Sequence, residues 1–514
     1  MHTKRLVPLV ALLATLTVVG AATAKEKPAG FKTSQQAFLD PGDIAGTSIS
    51  PIITVGERLA DGYMFESIPD GIAMRKHGQN ARIWVNHETS TVPFPVPPTV
   101  PVPINDFTNA MVSELTLNGD TAGVLDGAYV IPSSANYQRF CSNFLVGEEH
   151  GFDKKLLFTN EEATDFVNRT GTAWPPGPGA EQAGVVVAYD IQKGVYKTIY
   201  GMGRHNHENS VAIPGYGHPV VLSGDDTFTS NPAQSQLYSY IAPNADAVWN
   251  DTGELYGFVS DNPAVNDYYD FPVDSLMSVS GRFVKIDKAI AQSDQTALEN
   301  ESDRLNVFQF VRLEDVAYDR RTPNVVYVAD TGRGATSAGG NTFTSTNGRV
   351  WKLVLDPNDP TRVLSLSILI EGDNAPVKTL DEIHQPDNLE TTQTGLFVTE
   401  DPGSSQQFAW NSTEPNATTA RVWRYDLVAG TKAVALRVDQ GADEGPTDVD
   451  PTTTPGNKGA WEASGIVDVS KVFGPGAFLV DVQAGTLIIT REVRDGIAYE
   501  REGGQLLLVR IPGA

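Results

Sequence analysis

One cysteine, Cys141, stands in a chain of 514 residues. No intramolecular disulfide is possible, so the thiol is a small buried hydrophobe, a reactive group or a metal ligand. Positive charge is scarce as well: 38 lysines and arginines face 63 acids, a formal charge of −25. Such a surface repels nucleic acid and anionic lipid, and a partner that is itself anionic needs local positive charge or bound metal to enter. Beyond the first two dozen residues no apolar run is long enough to span a bilayer, so no membrane insertion is expected. Several catalytic signatures are missing too. The His-Glu pairs at His87 and His207 lack the second histidine of the helical zinc-protease motif, and there is no Gly-x-Ser-x-Gly elbow, phosphate-binding Gly-rich loop or Cys-x-x-Cys pair. Oxygen-ligand chemistry remains, and dense acid suits calcium, which is plentiful outside cells.

The first 24 residues, MHTKRLVPLVALLATLTVVGAATA, combine a basic start at Lys4 and Arg5, a short apolar run and a small-residue end. They read as a secretory signal, so a secreted protein, periplasmic or extracellular, is expected. Without Lys4 and Arg5 the chain carries 36 basic against 63 acidic residues, a charge of −27.

Helical periodicity is poor throughout. Short runs rich in Val, Leu, Tyr and Phe sit instead between Gly, Pro, Asn, Asp and Ser clusters, which predicts an all-β chain. One kind of strand returns in GVVVAYD from Gly184, QLYSYIA from Gln236, GRFVKID from Gly281, GRVWKLVLD from Gly348, ARVWRYDL from Ala420 and GQLLLVRI from Gly504. Several follow a strand ending in acid: VVLSGDD, VVYVADTG, LFVTEDPG and FLVDVQAG. This spacing predicts a β-propeller of about six blades with long inserted loops, spanning residues 25–514 as a single domain. A β-sandwich array is the alternative, but no Pro- or Ser-rich break divides the chain. The Pro-rich stretch at 91–104 reads as an extended loop or arm. In a propeller, loops from every blade converge on one channel mouth, so acids repeated once per blade are expected to form one ring of ligands.

Five clusters carry the chemistry. They are Asn86, His87 and Glu88 in WVNHETS; Cys141 with Glu161 and Glu162, which end KKLLFTNEE; Arg204, His205, His207 and Glu208, followed by Asp225 and Asp226; Arg312, Glu314 and Asp315 in FVRLEDVAYD; and Asp387 and Asn388, followed by Glu400 and Asp401. Each alone also reads as a turn or a salt-bridged loop. Side-by-side acids at strand ends are costly unless a cation sits between them, and arginine suits two-point contact with a phosphate or carboxylate.

In order, WVNHE, RFCSNF with LLFTNEE, GRHNHE with LSGDD and LYSYI, RLEDVAYD, DNL with FVTEDPG and RVWRYDL, and WEASGIVDVSKVFG with FLVDVQAG resemble the PhoX-type alkaline phosphatase family, as a divergent member. The resemblance implies a secreted β-propeller that hydrolyses phosphate monoesters with iron and calcium held at the channel mouth. It implies Cys141, Glu208, Glu314 and Asp387 at the iron positions, and Asn86 and Arg312 as holders of phosphate oxygens. Glu88, Glu161, Glu162, Asp225, Asp226, Glu400 and Asp401 are then the calcium candidates, with Arg204 and His207 supporting Glu208. The expected partner is a small anionic phosphate ester, and the protein is expected to be a monomer. The alternatives are a calcium-stabilised binding propeller without catalysis and a phytase-like or lactonase-like hydrolase on the same scaffold.

Overall fold

The computed structural model describes residues 29–93, 104–171, 173–333, 347–374, 382–401, 419–441 and 461–514. The expected signal segment, and all but the ends of the Pro-rich stretch, lie outside these residues. Six blades of antiparallel strands surround a channel, and the nearly helix-free sequence pattern is matched by a longest described helix of 11 residues, Gln295–Leu305.

Blade one runs Pro69–His77, Asn80–His87, Met111–Leu117 and Val124–Ile131; blade two runs Phe140–Val146, Leu156–Glu161, Val186–Asp190 and Val195–Ile199. Blade three is His207–Ala212, Val220–Asp225, Leu237–Ile241 and Glu254–Ser260, and blade four is Leu313–Tyr318, Val325–Asp330, Arg349–Asp356 and Asp359–Glu371. The GRFVKID strand, Ser278–Lys285, pairs with the outer strands of both, fusing blades three and four into one nine-stranded sheet. Blade five is Pro386–Thr391, Gly395–Glu400, Arg421–Asp426 and Lys432–Val438, and blade six starts with Glu462–Asp468 and the long hairpin Ala477–Arg494 and Ile497–Arg510.

The ring closes with strands from the start of the chain. Leu39–Pro41 adds to the outer edge of blade five and Ser48–Thr54 to that of blade six, which covers edges that would otherwise be open to other chains. Apolar side chains fill the spaces between neighbouring blades: Phe38, Phe397, Trp461 and Phe478 pack between blades five and six, for example.

The channel wall owes its chemistry to a repeated irregularity. At the start of every inner strand two residues face one on the partner strand: 70 and 71 face 86, 141 and 142 face 160, 208 and 209 face 224, 314 and 315 face 329, 387 and 388 face 399, and 464 and 465 face 481. A bulge of this kind bends the strand and re-aims the side chain of the extra residue. The first bulged residue is Asp70, Cys141, Glu208, Glu314, Asp387 and Ser464 in turn around the ring. Close packing holds the bulges together. A Cβ on Gly71 would sit 2.4 Å from the Asn143 backbone nitrogen, and one on Gly465 would sit 2.6 Å from the Asp70 carbonyl oxygen.

Candidate active site

All six first bulged residues line one cavity of about 360 Å³. Glu88, Glu162, Asp401 and Gln483 join them from the strands that pair with the inner strands. Each stands one position beyond the residue paired with the last regular position of the bulged strand, as Asp226 does in blade three. Glu462 and Arg312 complete the charged lining among the described residues.

The donor atoms overlap in a chain of triads. Asp70, Glu88 and Cys141, then Cys141, Glu162 and Glu208, then Glu208, Asp226 and Glu314 each bring ligand atoms within 4.8 Å of one another. The Cys141 thiol donates to Asp70 Oδ2 at 3.0 Å, the Ser464 hydroxyl donates to Asp70 Oδ1 at 2.6 Å, and Gln483 Nε2 bridges Asp70 Oδ2 and Glu88 Oε2 at 3.2 Å each. Arg312 is buried, holding Asp226 through Nε and Nη2 at 2.8 and 2.7 Å and Glu314 through Nη2 at 2.6 Å. Its Nη1 lies 3.6 Å from Asp401.

So much acid behind one guanidinium is far from electrically balanced. Burial and then the neighbouring carboxylates push Glu208, Glu162, Glu314 and Asp387 well above the usual carboxylate range, and Glu88 rises to about 8 through burial and then through the charge of Asp70. Glu162 hydrogen-bonds Asp226, and Glu462 hydrogen-bonds Asp401. A carboxyl pair in such contact needs a shared proton or a cation. Among the described residues no hydrogen-bond donor serves the buried Glu208 Oε2. These hard oxygens and one thiol fit a group of metal ions. The Cys141 thiol is pushed up by burial and then by Asp70 and Glu208, which opposes a free thiolate nucleophile and favours a thiolate only where a cation compensates it.

Several expected residues point elsewhere, for one reason: neighbouring residues of a strand face opposite ways. In each acid doublet the second acid enters the channel region, while the first braces the blade. Glu161 accepts from Arg169 Nη1 and Nη2 at 2.7 Å each, from the Gln138 amide at 2.8 Å and from the Gly184 amide at 2.9 Å. Glu400 accepts from Arg421 Nε and Nη2, from Trp423 Nε1 and from the His384 amide. Asp225 accepts from the Thr227 hydroxyl at 2.9 Å and lies 3.8 Å from His205. Glu161 and Glu400 are thus saturated and Asp225 is tied to its own loop, which corrects their reading as calcium candidates.

Asn86 needs correcting as well. It opposes the bulge of blade one, and its Nδ2 donates to the carbonyls of Cys141 and Ser142 at 2.6 and 3.1 Å, so it braces blade two against blade one rather than meeting phosphate. His207 and Arg204 do not support Glu208. The His207 ring hydrogen-bonds the Ser223 hydroxyl and the Gly203 carbonyl and stacks on His205, while Arg204 lies over Tyr200. Glu208 is instead oriented by the Ser142 hydroxyl at 3.0 Å, which Asn388 Nδ2 contacts at 2.9 Å.

Asp70, Glu462, Ser464, Gln483 and Phe228 were not singled out from the sequence. Asp70 had a legible signal: IPDGI at 68–72 repeats the pattern of QPDNL at 385–389, and Ile68 and Gln385 share a left-handed backbone with φ of 49° and 50°.

The family model for alkaline phosphatase PhoX matches residues 181–439. Among solved structures, Pseudomonas fluorescens PhoX in complex with vanadate, a transition state analogue, matches with a TM-score of 0.57 at 15% identity, over 94% of this chain and 98% of that one. The α-L-arabinofuranosidase Arb93A from Fusarium graminearum, with an iminosugar inhibitor, matches at a TM-score of 0.38 and 9% identity, over 93% and 98%. No curated protein sequence matches the chain. Among the described residues no helix is long and apolar enough to cross a membrane. With the family model covering half of its length and the PhoX fold matching almost end to end, the chain belongs to the PhoX alkaline phosphatase family and is a phosphatase.

Proposed function

We propose that this protein is an exported, monomeric phosphomonoesterase whose bulge ring holds calcium together with iron. The observation that carries this reading is the convergence, among the described residues, of eight carboxyl residues, one thiol and one arginine on a single cavity, in a chain of the PhoX family. An acidic protein admits a phosphate ester only where cations reverse the local field. The vanadate bound to the Pseudomonas protein supports a phosphoryl group as the guest.

Asp70, Glu88, Cys141, Glu162, Glu208 and Glu314 would hold the metal ions, with Asp387, Asp401 and Glu462 closing the ring. Cations held there would supply Lewis acidity toward the non-bridging phosphoryl oxygens and help activate the attacking nucleophile. The protein contributes the rest. Asp226 grips the Arg312 guanidinium at two points and so fixes its plane toward the cavity, where its charge meets that of the ester. Cys141, its thiol held protonated by burial and by Asp70, would bind such a cation as the thiolate, releasing its Sγ proton. Ser142 and Gln483 hold Glu208, Asp70 and Glu88 in orientation by donating to them, the role that outer hydrogen bonds play around metal ligands.

The test is hydrolysis of p-nitrophenyl phosphate by protein purified without chelator, repeated after chelation and after return of calcium and iron. Turnover that vanishes on chelation and returns with the metals is expected. Turnover indifferent to chelation contradicts the metal-dependent reading. A protein that is stabilised by calcium but cleaves no ester is the binding propeller instead, although a purely structural calcium site has no use for a buried arginine at its centre.

A further inference from the structure

The described lining of the cavity is almost wholly polar: carboxyls, a thiol, a hydroxyl, an amide and a guanidinium. Apart from Gly485, which has no side chain, Phe228 is the exception. Its side chain lines the cavity yet remains 42% exposed, whereas Glu208, Arg312 and Glu314 are all buried. A large aromatic ring left in water at a polar mouth forgoes the burial that such rings usually find. Its place is set by chain connectivity, two residues beyond Asp226, the two-point partner of Arg312. The Arg312 guanidinium carbon lies 4.6 Å from the ring centroid, and that of Arg333, just past the end of Val325–Asp330, lies 5.3 Å from it.

These positions have a consequence for substrate shape. With the phosphoryl end drawn to Arg312, the ester's alcohol portion comes close to the Phe228 ring, which is the large exposed hydrocarbon surface among the described lining residues. We propose that Phe228 is the platform for the leaving group and selects esters with a flat aromatic one, a nucleobase or aryl ring, over aliphatic alcohols. The inference rests on the phosphatase reading above and adds the substrate class to it. A flat π-face stacks on an aromatic side chain whatever its hydrogen-bond pattern, with a contribution of about tenfold in affinity, whereas an aliphatic chain gains only modest contact area. The two guanidinium groups hold the ring in place by cation–π attraction and leave part of it open.

The competing role for Phe228 is purely structural, as a brace for Arg312. That role predicts the same loss for every monoester, because Arg312 faces the phosphoryl group they share. The metal-loaded protein, its Phe228→Ala variant and its Phe228→Trp variant are therefore compared on adenosine 5′-monophosphate and glycerol 3-phosphate. The ratio of the two kcat/KM values is expected to fall about tenfold in Phe228→Ala, mainly through KM for the nucleotide, and to recover in Phe228→Trp. Equal loss on both esters overturns the proposal. If the wild-type protein hydrolyses neither ester, the phosphatase reading fails on its own. Calorimetric binding of the same two compounds then decides the platform: nucleotide binding weakened about tenfold by Phe228→Ala supports it, and unchanged or absent binding overturns it.

Discussion

Replace Glu161 by glutamine and Arg169 loses one of its two carboxylates, with Glu181 remaining at 3.0 Å; replace Glu162 and the cavity loses one of several crowded carboxyls. Arg169 keeps Glu181, so its charge is not orphaned, and Glu161→Gln is expected to lower unfolding stability by about 1–3 kcal/mol while metal bound per folded molecule stays the same. Glu162→Gln is expected to do the reverse, with metal affinity falling and metal-free stability unchanged or raised, because a neutral amide that can donate to Asp226 replaces a carboxyl penalised by burial and by its acidic neighbours. Denaturant unfolding and elemental analysis of both variants check the pair of outcomes. The sequence shows the acid doublets and their recurrence at strand ends. Which member faces the channel depends on which face of each strand is inward, and the doublets themselves do not reveal that. Asn86 is a similar case: an amide beside His-Glu looks like a ligand, but its position opposite a bulge gives it two carbonyls to bind.

Among the elements, the second, acid-ended strand and the aromatic third strand of the blades are legible because each carries a period-two apolar pattern. Their relation is also physical: Trp351 and Trp423 of the third strands donate to Asp330 and Glu400 at the ends of the second. The inner strands are harder to read. They are short, start with a bulge that breaks alternation, and carry polar side chains in place of apolar ones, so PDGIAM and EASGIVD do not announce strands. Their bulges make glycine necessary where blades meet. Gly71→Ala would drive a methyl group into the backbone of Ser142 and Asn143, beside Cys141. A loss of about 1–3 kcal/mol is expected from such overpacking, with weakened metal binding as blades one and two separate. Thermal unfolding and metal titration of Gly71→Ala measure both, and unaltered metal affinity would show that the inter-blade spacing does not set the site.

At the scale of the whole molecule, ring closure and metal occupancy are linked, because every blade contributes to one cavity and the early strand Ser48–Thr54 completes the last blade. The metal-free protein should therefore be pH-sensitive in a definite direction. Glu88 rises from an ordinary 4.5 to about 8, and Asp315 and Asp330 from 3.8 to about 7, burial being the main cause each time. Between about pH 5 and 8 the folded form keeps protons that the unfolded chain has released, so metal-free stability falls as pH rises. Denaturant midpoints in chelator are expected to be lower at pH 8 than at pH 5, and returned metal should narrow that gap by replacing protons at the ring and by binding only the folded form. Insensitivity to pH in chelator would mean that these acids are not held protonated. The most direct test of the account is elemental analysis of the wild-type protein beside Glu208→Gln, both purified without chelator. Glu208 belongs to two of the three donor triads, so the wild type should carry tightly held metal ions and the variant should lose at least one per molecule together with its turnover. Equal metal content in the two proteins would contradict a metal centre built from the bulge ring.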